Sequence, residues 1–273
     1  MKWTAEAESA LKKVPFFVRN RVRGRVEKEA KENGKSEITI HEVNASRKRF
    51  LSGMESDVKG YQLDICFGPS GCPNQANPGE GLMKKIESLL VRADLLSFLK
   101  SHVKGELKYH HEFRISIADC PNACSQPQIK DIGVIGALVP AVADAVCTRC
   151  EACVEACRED AIALKDAEEK PTFDFSRCVG CGKCIQACPT GTLVEGRKGF
   201  RVQLGGKLGR HPKLARELPG IYSENDVLEI ISDCIALYKQ RSRHGNRFAE
   251  IFTENDLNEL IKKYPFSKFH PGC

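Results

Sequence analysis

The run Cys147-Thr-Arg-Cys150-Glu-Ala-Cys153-Val-Glu-Ala-Cys157 returns about thirty residues later as Cys178-Val-Gly-Cys181-Gly-Lys-Cys184-Ile-Gln-Ala-Cys188, followed by Pro189. Each run has the form C-x2-C-x2-C-x3-C. Three thiolates from one short loop can wrap one face of a cubane, and the fourth comes from the other repeat. By that rule one [4Fe-4S] cluster takes Cys147, Cys150, Cys153 and Cys188, and a second takes Cys178, Cys181, Cys184 and Cys157. Structural zinc is the rival reading, but it favours isolated C-x2-C pairs over tandem four-cysteine runs.

Composition narrows the class further. The chain has 273 residues and 14 cysteines. A secreted disulfide scaffold would be shorter and would start with a signal peptide, whereas Met1-Lys2-Trp3-Thr4-Ala5-Glu6 has no apolar core. Metal ligation in a reducing cytoplasm is the better account of so many thiols. The longest apolar stretch, Ile132 to Val146, is interrupted by Gly133, Gly136, Pro140 and Asp144, too broken to span a bilayer. No membrane association is expected. Formal net charge is +6 with neutral thiols. Each [4Fe-4S] cluster on four thiolates would add about −2 and bring the holoprotein towards neutral, so the basic balance does not argue for nucleic acid.

Outside the repeat, residues 1 to about 53 read as helical. Val18, Val22, Val26 and Ala30 form an i, i+4 stripe that ends at Gly34, with Pro15 in the first turn and Arg19, Arg21, Arg23 and Arg25 around it. Thr39-Ile-His-Glu42 has capping-box spacing and opens a second helix through Arg49. Tyr61–Ile65 and Phe113–Ile117 read as strands, and Ile132–Ile135 as a buried strand. Leu82, Ile86, Leu89 and Leu90 sit at helical spacing, and Leu95 to Val103 continues as helix. Phe200–Leu204 resumes a strand beyond the cysteine repeat. Ser223 to Tyr238 and Thr253 to Tyr264 read as capped amphipathic helices. Cys234 falls on an apolar face and is expected as a core thiol. His110 and His111 precede a strand, where adjacent side chains point to opposite faces, so a shared metal is not expected. Cys273 suggests no role.

Cys66 and Cys72 form C-x5-C, and Cys120 and Cys124 form C-x3-C, running on into Ser-Gln-Pro-Gln-Ile-Lys-Asp-Ile-Gly. Over residues 64 to 136 the chain resembles the nitrite/sulfite reductase family, and the double repeat resembles bacterial two-cluster ferredoxins. The resemblance implies that Cys66, Cys72, Cys120 and Cys124 hold a third [4Fe-4S] cluster, with Cys124 also the axial thiolate of a sirohaem. Gly205-Gly-Lys207-Leu-Gly-Arg210-His211-Pro-Lys213 is similar to dissimilatory-type sulfite reductases. Lys207, Arg210 and Lys213 would then neutralise carboxylates or an oxyanion, and His211 would donate protons. One departure is visible: Arg158 follows Cys157 where such repeats usually carry proline, as at Pro189. The segments Trp3-Thr-Ala-Glu-Ala-Glu8 and Val14-Pro-Phe-Phe-Val-Arg19 resemble the small C-terminal domain found in light-independent protochlorophyllide reductases.

These readings imply an α+β chain. Residues 1–55 would be a helical module, 56–142 and 198–273 one reductase-type half-domain, and 143–197 an inserted ferredoxin-like domain. The implied activity is reduction of sulfite or nitrite, with electrons from a donor protein passing through the ferredoxin clusters to the third cluster and its haem. A non-catalytic electron carrier with three clusters is the alternative. Members of the family are built from two related halves and this chain has the length of one, so a homodimer or partner subunit is expected.

Overall fold

A computed structural model describes residues 1–265, apart from the side chains of residues 50–56. Cys273 lies outside the described residues. The chain divides into two compact units, one of Met1–Val58 with Lys104–His110, the other of Lys59–Val103 with the chain from His111 onward.

In the first unit, β1 (Lys2–Trp3) and β2 (Glu37–Ile38) pair in parallel beside α1 (Ala5–Lys12), α2 (Phe16–Glu32) and α3 (Ile40–Asp57). Val26 and Ala30 are buried with Ala7 and Ile38, while Val22 is only partly covered. Pro15 stands at the N-cap of α2, one residue before its first turn. Two of the expected surface arginines have structural partners. Arg19 donates to the carbonyls of Lys12 at 2.8 Å and Val14 at 2.9 Å, closing the turn between α1 and α2. Arg23 pairs with Glu8 and lies 4.8 Å from the centre of the Trp3 ring. At the start of α3, Glu42 accepts from the Thr39 hydroxyl at 2.5 Å and from the Thr39 amide at 3.0 Å. These bonds, the hydroxyl first, draw the Glu42 carboxyl down from 4.5 to about 2.

The second unit is built on a five-stranded sheet. Its strands are β3 (Tyr61–Ile65), β4 (Phe113–Ala118), β5 (Ile132–Val142), β8 (Leu193–Leu204) and β9 (Arg216–Tyr222), in that spatial order. β3, β4 and β5 are mutually parallel; β8 and β9 are antiparallel to their neighbours. Parallel pairing needs long crossovers. α4 (Glu80–Ala93) and α5 (Leu95–His102) supply the first, and the loop carrying Cys120 and Cys124 supplies the second. Alternation sets one face of the sheet against helices: Phe113, Ile115, Ile117, Ile132, Val134, Phe200, Val202, Leu204 and Leu218 are buried there. α8 (Glu224–Arg241), α9 (Phe248–Ile251) and α10 (Glu254–Lys263) close over that face with α4. Capping boxes at Ser223/Asp226 and Thr253/Asp256 start α8 and α10. Cys234 is 1% exposed within this core. Together these elements make the chain α+β.

Between β5 and β8 the chain leaves the sheet and forms two short helices, α6 (Ala152–Glu155) and α7 (Lys183–Ala187), with the hairpin of β6 (Ile162–Ala163) and β7 (Thr172–Phe173). β5 and β8 remain paired up to Val142 and Leu193, so sheet resumes seven residues earlier than the Phe200 expected from sequence. Gly196 and Gly199 explain the difference. A Cβ on either would come within 2.9 Å of the Val139 carbonyl oxygen or 2.5 Å of the Tyr222 carbonyl oxygen, so they serve close strand approach rather than a loop. His110 and His111 lie in a 3-10 turn (Tyr109–His111), not on a strand, so the alternation argument does not describe them. Among the described residues, no helix is long and apolar enough to cross a membrane.

Two tests follow from these contacts. Thr39→Ala should return the Glu42 carboxyl towards its ordinary range in a side-chain NMR titration and cost about 1 kcal/mol of first-unit stability. Gly136→Ala would bring a Cβ to 2.5 Å from the Asn77 carbonyl oxygen and 2.6 Å from that of Asp119. We expect it to destabilise the second unit by about 1–3 kcal/mol in thermal unfolding, because backbone atoms cannot turn aside.

Candidate metal centre

β3 and β4 run side by side, and a cysteine follows each within two residues. Cys66 directly follows β3, and its amide donates to the Ile117 carbonyl at 3.0 Å, extending the ladder by one step. Its sulfur accepts from the amides of Asp119 at 3.2 Å and Gly68 at 3.4 Å. Gly68–Ser70 is a 3-10 turn, and Gly71 (φ 92°) reverses the chain into Cys72. Cys120 follows β4, after which Ala123 (φ 53°) and Gln126 (φ 58°) hold left-handed conformations on either side of Cys124. Cys120 is 7% exposed. Burial pushes its thiol up, and so do Cys66, Cys124 and Cys72, which all lie within electrostatic reach. Cys66 and Cys72 are half-buried, whereas Cys124 is exposed.

Asp119, which carries no mark in the sequence, organises this site. Its side chain is buried and accepts from Gln75 Nε2 at 2.6 Å and from the Gly79 amide at 3.0 Å. Its carbonyl accepts from the amides of Ala76 at 2.9 Å and Asn77 at 3.0 Å. One residue therefore fixes the Cys66–Cys72 loop, the chain beyond it and the exit of β4. A lone aspartate before a cysteine is not a motif; only the meeting of two strand ends gives it this role.

The two repeats have matching backbones at a spacing of 31 residues. Arg149 (φ 56°), Glu151 (φ 59°) and Asp160 (φ 48°) are left-handed, as are Gly180 (φ 71°), Gly182 (φ 69°) and Gly191 (φ 69°) at the matching places. Ile162, Leu193, Cys153 and Cys184 form the small core between the repeats. The cysteines gather crosswise. Cys153 has Cys188 and Cys147 as electrostatic neighbours, with Cys150 exposed in the same loop. Cys184 has Cys181, Cys178 and Cys157 around it, and burial together with these neighbours pushes its thiol up to about 12. In the other set, burial acts against Cys188, but hydrogen bonds led by the Leu193 amide draw it down to about 7.

A cavity of about 550 Å³ is lined by Cys157, Cys178, Cys181 and Cys184, and reaches Cys120, Asn74 and Pro121. Among the described residues, no three His, Cys, Asp or Glu side chains are arranged to chelate a single metal ion. Four cysteine sulfurs around a space of this size, with backbone amides pointing at several cysteine sulfurs of the chain, suit a multinuclear cluster. The donor set therefore fits an iron–sulfur group.

The basic turn is stitched to the segment beyond Cys124. The amides of Gly205 and Gly206 donate to the carbonyls of Asp131 and Lys130, both at 2.8 Å, and the Ala215 amide donates to Gln128 at 2.8 Å. Lys207 and Lys213 pair through their backbones, but their side chains turn to α9. Lys207 Nζ lies 2.7 Å from Glu250 Oε1, and Lys213 Nζ donates to the Ala249 carbonyl at 3.1 Å. Burial, with Arg216 and Lys207 nearby, draws the Lys213 ammonium down. Arg210 and His211 stand exposed at the tip.

Comparison with known proteins decides the affiliation. Residues 63–268 match the family described as the nitrite and sulphite reductase 4Fe-4S domain. The chain belongs to that family. Residues 3–47 match a second family, the proto-chlorophyllide reductase 57 kD subunit. The coenzyme F420-dependent sulfite reductase of Methanocaldococcus jannaschii is 29% identical over 222 residues, 81% of this chain and 32% of its own length. This chain thus spans about a third of that relative. A light-independent protochlorophyllide reductase polypeptide of Chlorobium luteolum is 53% identical over 53 residues, 19% of this chain and 10% of its own length. A crystal structure of dissimilatory sulfite reductase I has a TM-score of 0.50 at 14% identity, covering 79% of this chain and 56% of that one, which shows a shared fold.

Asp119→Ala would leave the Gln75 amide and the Gly79 N–H without their acceptor. We expect a loss of about 2–3 kcal/mol in anaerobic thermal unfolding. Iron lost on purification should come from the Cys66, Cys72, Cys120 and Cys124 set, so Asp119→Ala and Cys120→Ser should lower iron content non-additively.

Proposed function

We propose that this chain is a reductase subunit for a small oxyanion, sulfite in preference to nitrite, carrying three [4Fe-4S] clusters and a sirohaem. The observation that carries this reading is the unequal exposure of the fourth cysteine set. Cys120 is buried and Cys66 and Cys72 are half-buried, but Cys124 is exposed and open to a ligand from outside the chain. Family membership and the names of two sulfite reductase relatives support the same direction.

Cys66, Cys72, Cys120 and Cys124 would hold one cluster, and Cys124 would also bind the sirohaem iron. When bound, sirohaem supplies an iron that takes the anion and delivers electrons to it. The chain supplies the surroundings. Arg210 and His211, exposed on a turn anchored beside the Cys124 segment, are available to an anion or to the carboxylates of the haem, and His211 would serve as the proton donor. Lys207 and Lys213 brace the turn against α9 and add positive potential. Asp119 holds Cys66 through its amide and the chain beyond Cys72 through its carboxylate.

The cavity also suggests an order among the cysteine sets. It joins Cys157, Cys178, Cys181 and Cys184 to Cys120, and reaches none of Cys147, Cys150, Cys153 or Cys188. Ile185, next to Cys184, packs on Ala76, Cys120 and Leu138. The set containing Cys184 is therefore the inner one, handing electrons to the Cys120 set. The set containing the exposed Cys150 is the entry from a donor protein. A second copy or a partner subunit would complete the anion site. The competing reading, an electron carrier without haem, draws on Lys207 and Lys213 being engaged with α9 rather than free for a substrate.

Anaerobically purified protein should contain about twelve cluster irons and one extractable sirohaem. Cys124→Ser should lose the sirohaem and sulfite-dependent oxidation of reduced viologen, while keeping the iron of the two repeat-derived clusters. Full iron loading without tetrapyrrole in the unaltered protein, under ample sirohaem supply, would favour the carrier.

A further inference from the structure

Arg201 on β8 belongs to none of the groups so far assigned a chemical role. Its guanidinium faces two ways. Nη1 donates at 3.2 Å to the carbonyl of Val179, the residue directly after Cys178. Nε and Nη2 donate to the two carboxylate oxygens of Glu217 on β9 at 2.7 and 2.8 Å, and Gln203 Nε2 donates to the same carboxylate at 2.9 Å. The pair is largely sheltered, with Arg201 20% and Glu217 33% exposed. Arg201, Glu217, Cys178 and Val179 line one groove of about 1020 Å³.

We propose that Arg201 raises the reduction potential of the [4Fe-4S] cluster held by Cys157, Cys178, Cys181 and Cys184, and that Glu217 limits how far. This rests on the cluster assignment above. Reducing a cluster adds one negative charge to a group that is already anionic with its four thiolates. A fixed cation in a partly buried place favours that added charge more than it would in water. A carboxylate held in the guanidinium fork cancels part of the effect and keeps the fork aimed at the cysteine loop. The consequence is directional. The inner set is made easier to reduce than it would otherwise be, which draws electrons onto it from the set containing Cys150.

The test is a redox titration of the full-length holoprotein followed by electron paramagnetic resonance, with Arg201→Met, Arg201→Lys and Glu217→Gln compared. One of the three midpoint potentials should fall in Arg201→Met, stay near its original value in Arg201→Lys, and rise in Glu217→Gln. The other two should not move. A purely structural role would shift Met and Lys variants alike and would not make Glu217→Gln move the opposite way. Equal shifts in the two Arg201 variants, a fall in Glu217→Gln, or no shift at all would overturn the proposal. Iron content separates this from failure of the cluster assignment. If Cys178→Ser and Cys184→Ser retain all the iron of the unaltered protein, the assignment itself falls, and the proposal with it.

Discussion

The pairing of β5 with β8 is the constraint on which the second unit depends. These two strands stay in register from Ile132 and Leu204 at one end to Val142 and Leu193 at the other, with one irregularity between Val139 and Pro140. At one end their buried side chains form the floor of the main core. At the other, the same ladder pins both ends of the excursion that carries eight cysteines. The Leu138 amide then donates to the Gly180 carbonyl at 2.7 Å, fastening the second cysteine loop to the middle of β5. That ladder, with Ile185 packed on Ala76 and Cys120, registers the second repeat against the strand ends at Cys66 and Cys120.

Electrostatics sets the second constraint. Cys120, Cys153, Cys178 and Cys184 all have thiols pushed up, with burial the leading cause and neighbouring cysteines adding to it. Such thiols resist ionisation until a cation offsets the cost of burying several negative sulfurs together. Amides of Gly68, Asp119, Arg149, Ala161 and Leu193 point at sulfurs of Cys66, Cys147, Cys157 and Cys188 instead of at carbonyls. Those donors would give a bound cluster hydrogen bonds to its ligating sulfurs.

Much of this was legible in the chain. The limits of β3 fall where alternation puts them, at Tyr61 and Ile65, and the boxes that start α8 and α10 are visible as Ser223/Asp226 and Thr253/Asp256. Leu82, Ile86 and Leu90 mark the buried face of α4. What could not be read depended on contacts distant in sequence. Leu193-Val-Glu-Gly-Arg-Lys-Gly199 looks like a polar, glycine-broken loop, and only β5 alongside makes it a strand. Asp119 acquires its partners from Gln75 and Gly79, some forty residues away. The side chains of Lys207 and Lys213 look like open cations on paper, because the acceptors on α9 come from a helix far along the chain.

The two cysteine repeats show how one backbone solution is adapted to two settings. Both hold left-handed residues at the same three places, yet the second uses glycine at each and the first uses Arg149, Glu151 and Asp160. A residue with a side chain held there costs about 1 kcal/mol or more. The difference lies in what each loop faces. A Cβ at Gly182 would come within 2.9 Å of Leu138 Cδ2, and one at Gly180 within 3.2 Å of Ala137 Cβ, so the loop pressed against β5 has little room for side chains. Gly191 meets nothing within 4 Å, so its glycine answers to φ alone. The first loop instead turns outward: Glu151 is exposed, and Arg149 reaches back to the carbonyls of Glu168 and Lys165, tying down the hairpin beside it. Burial of one loop against the sheet thus demands glycine, while exposure of the other lets charged residues bear the same strain and offset part of it with new hydrogen bonds.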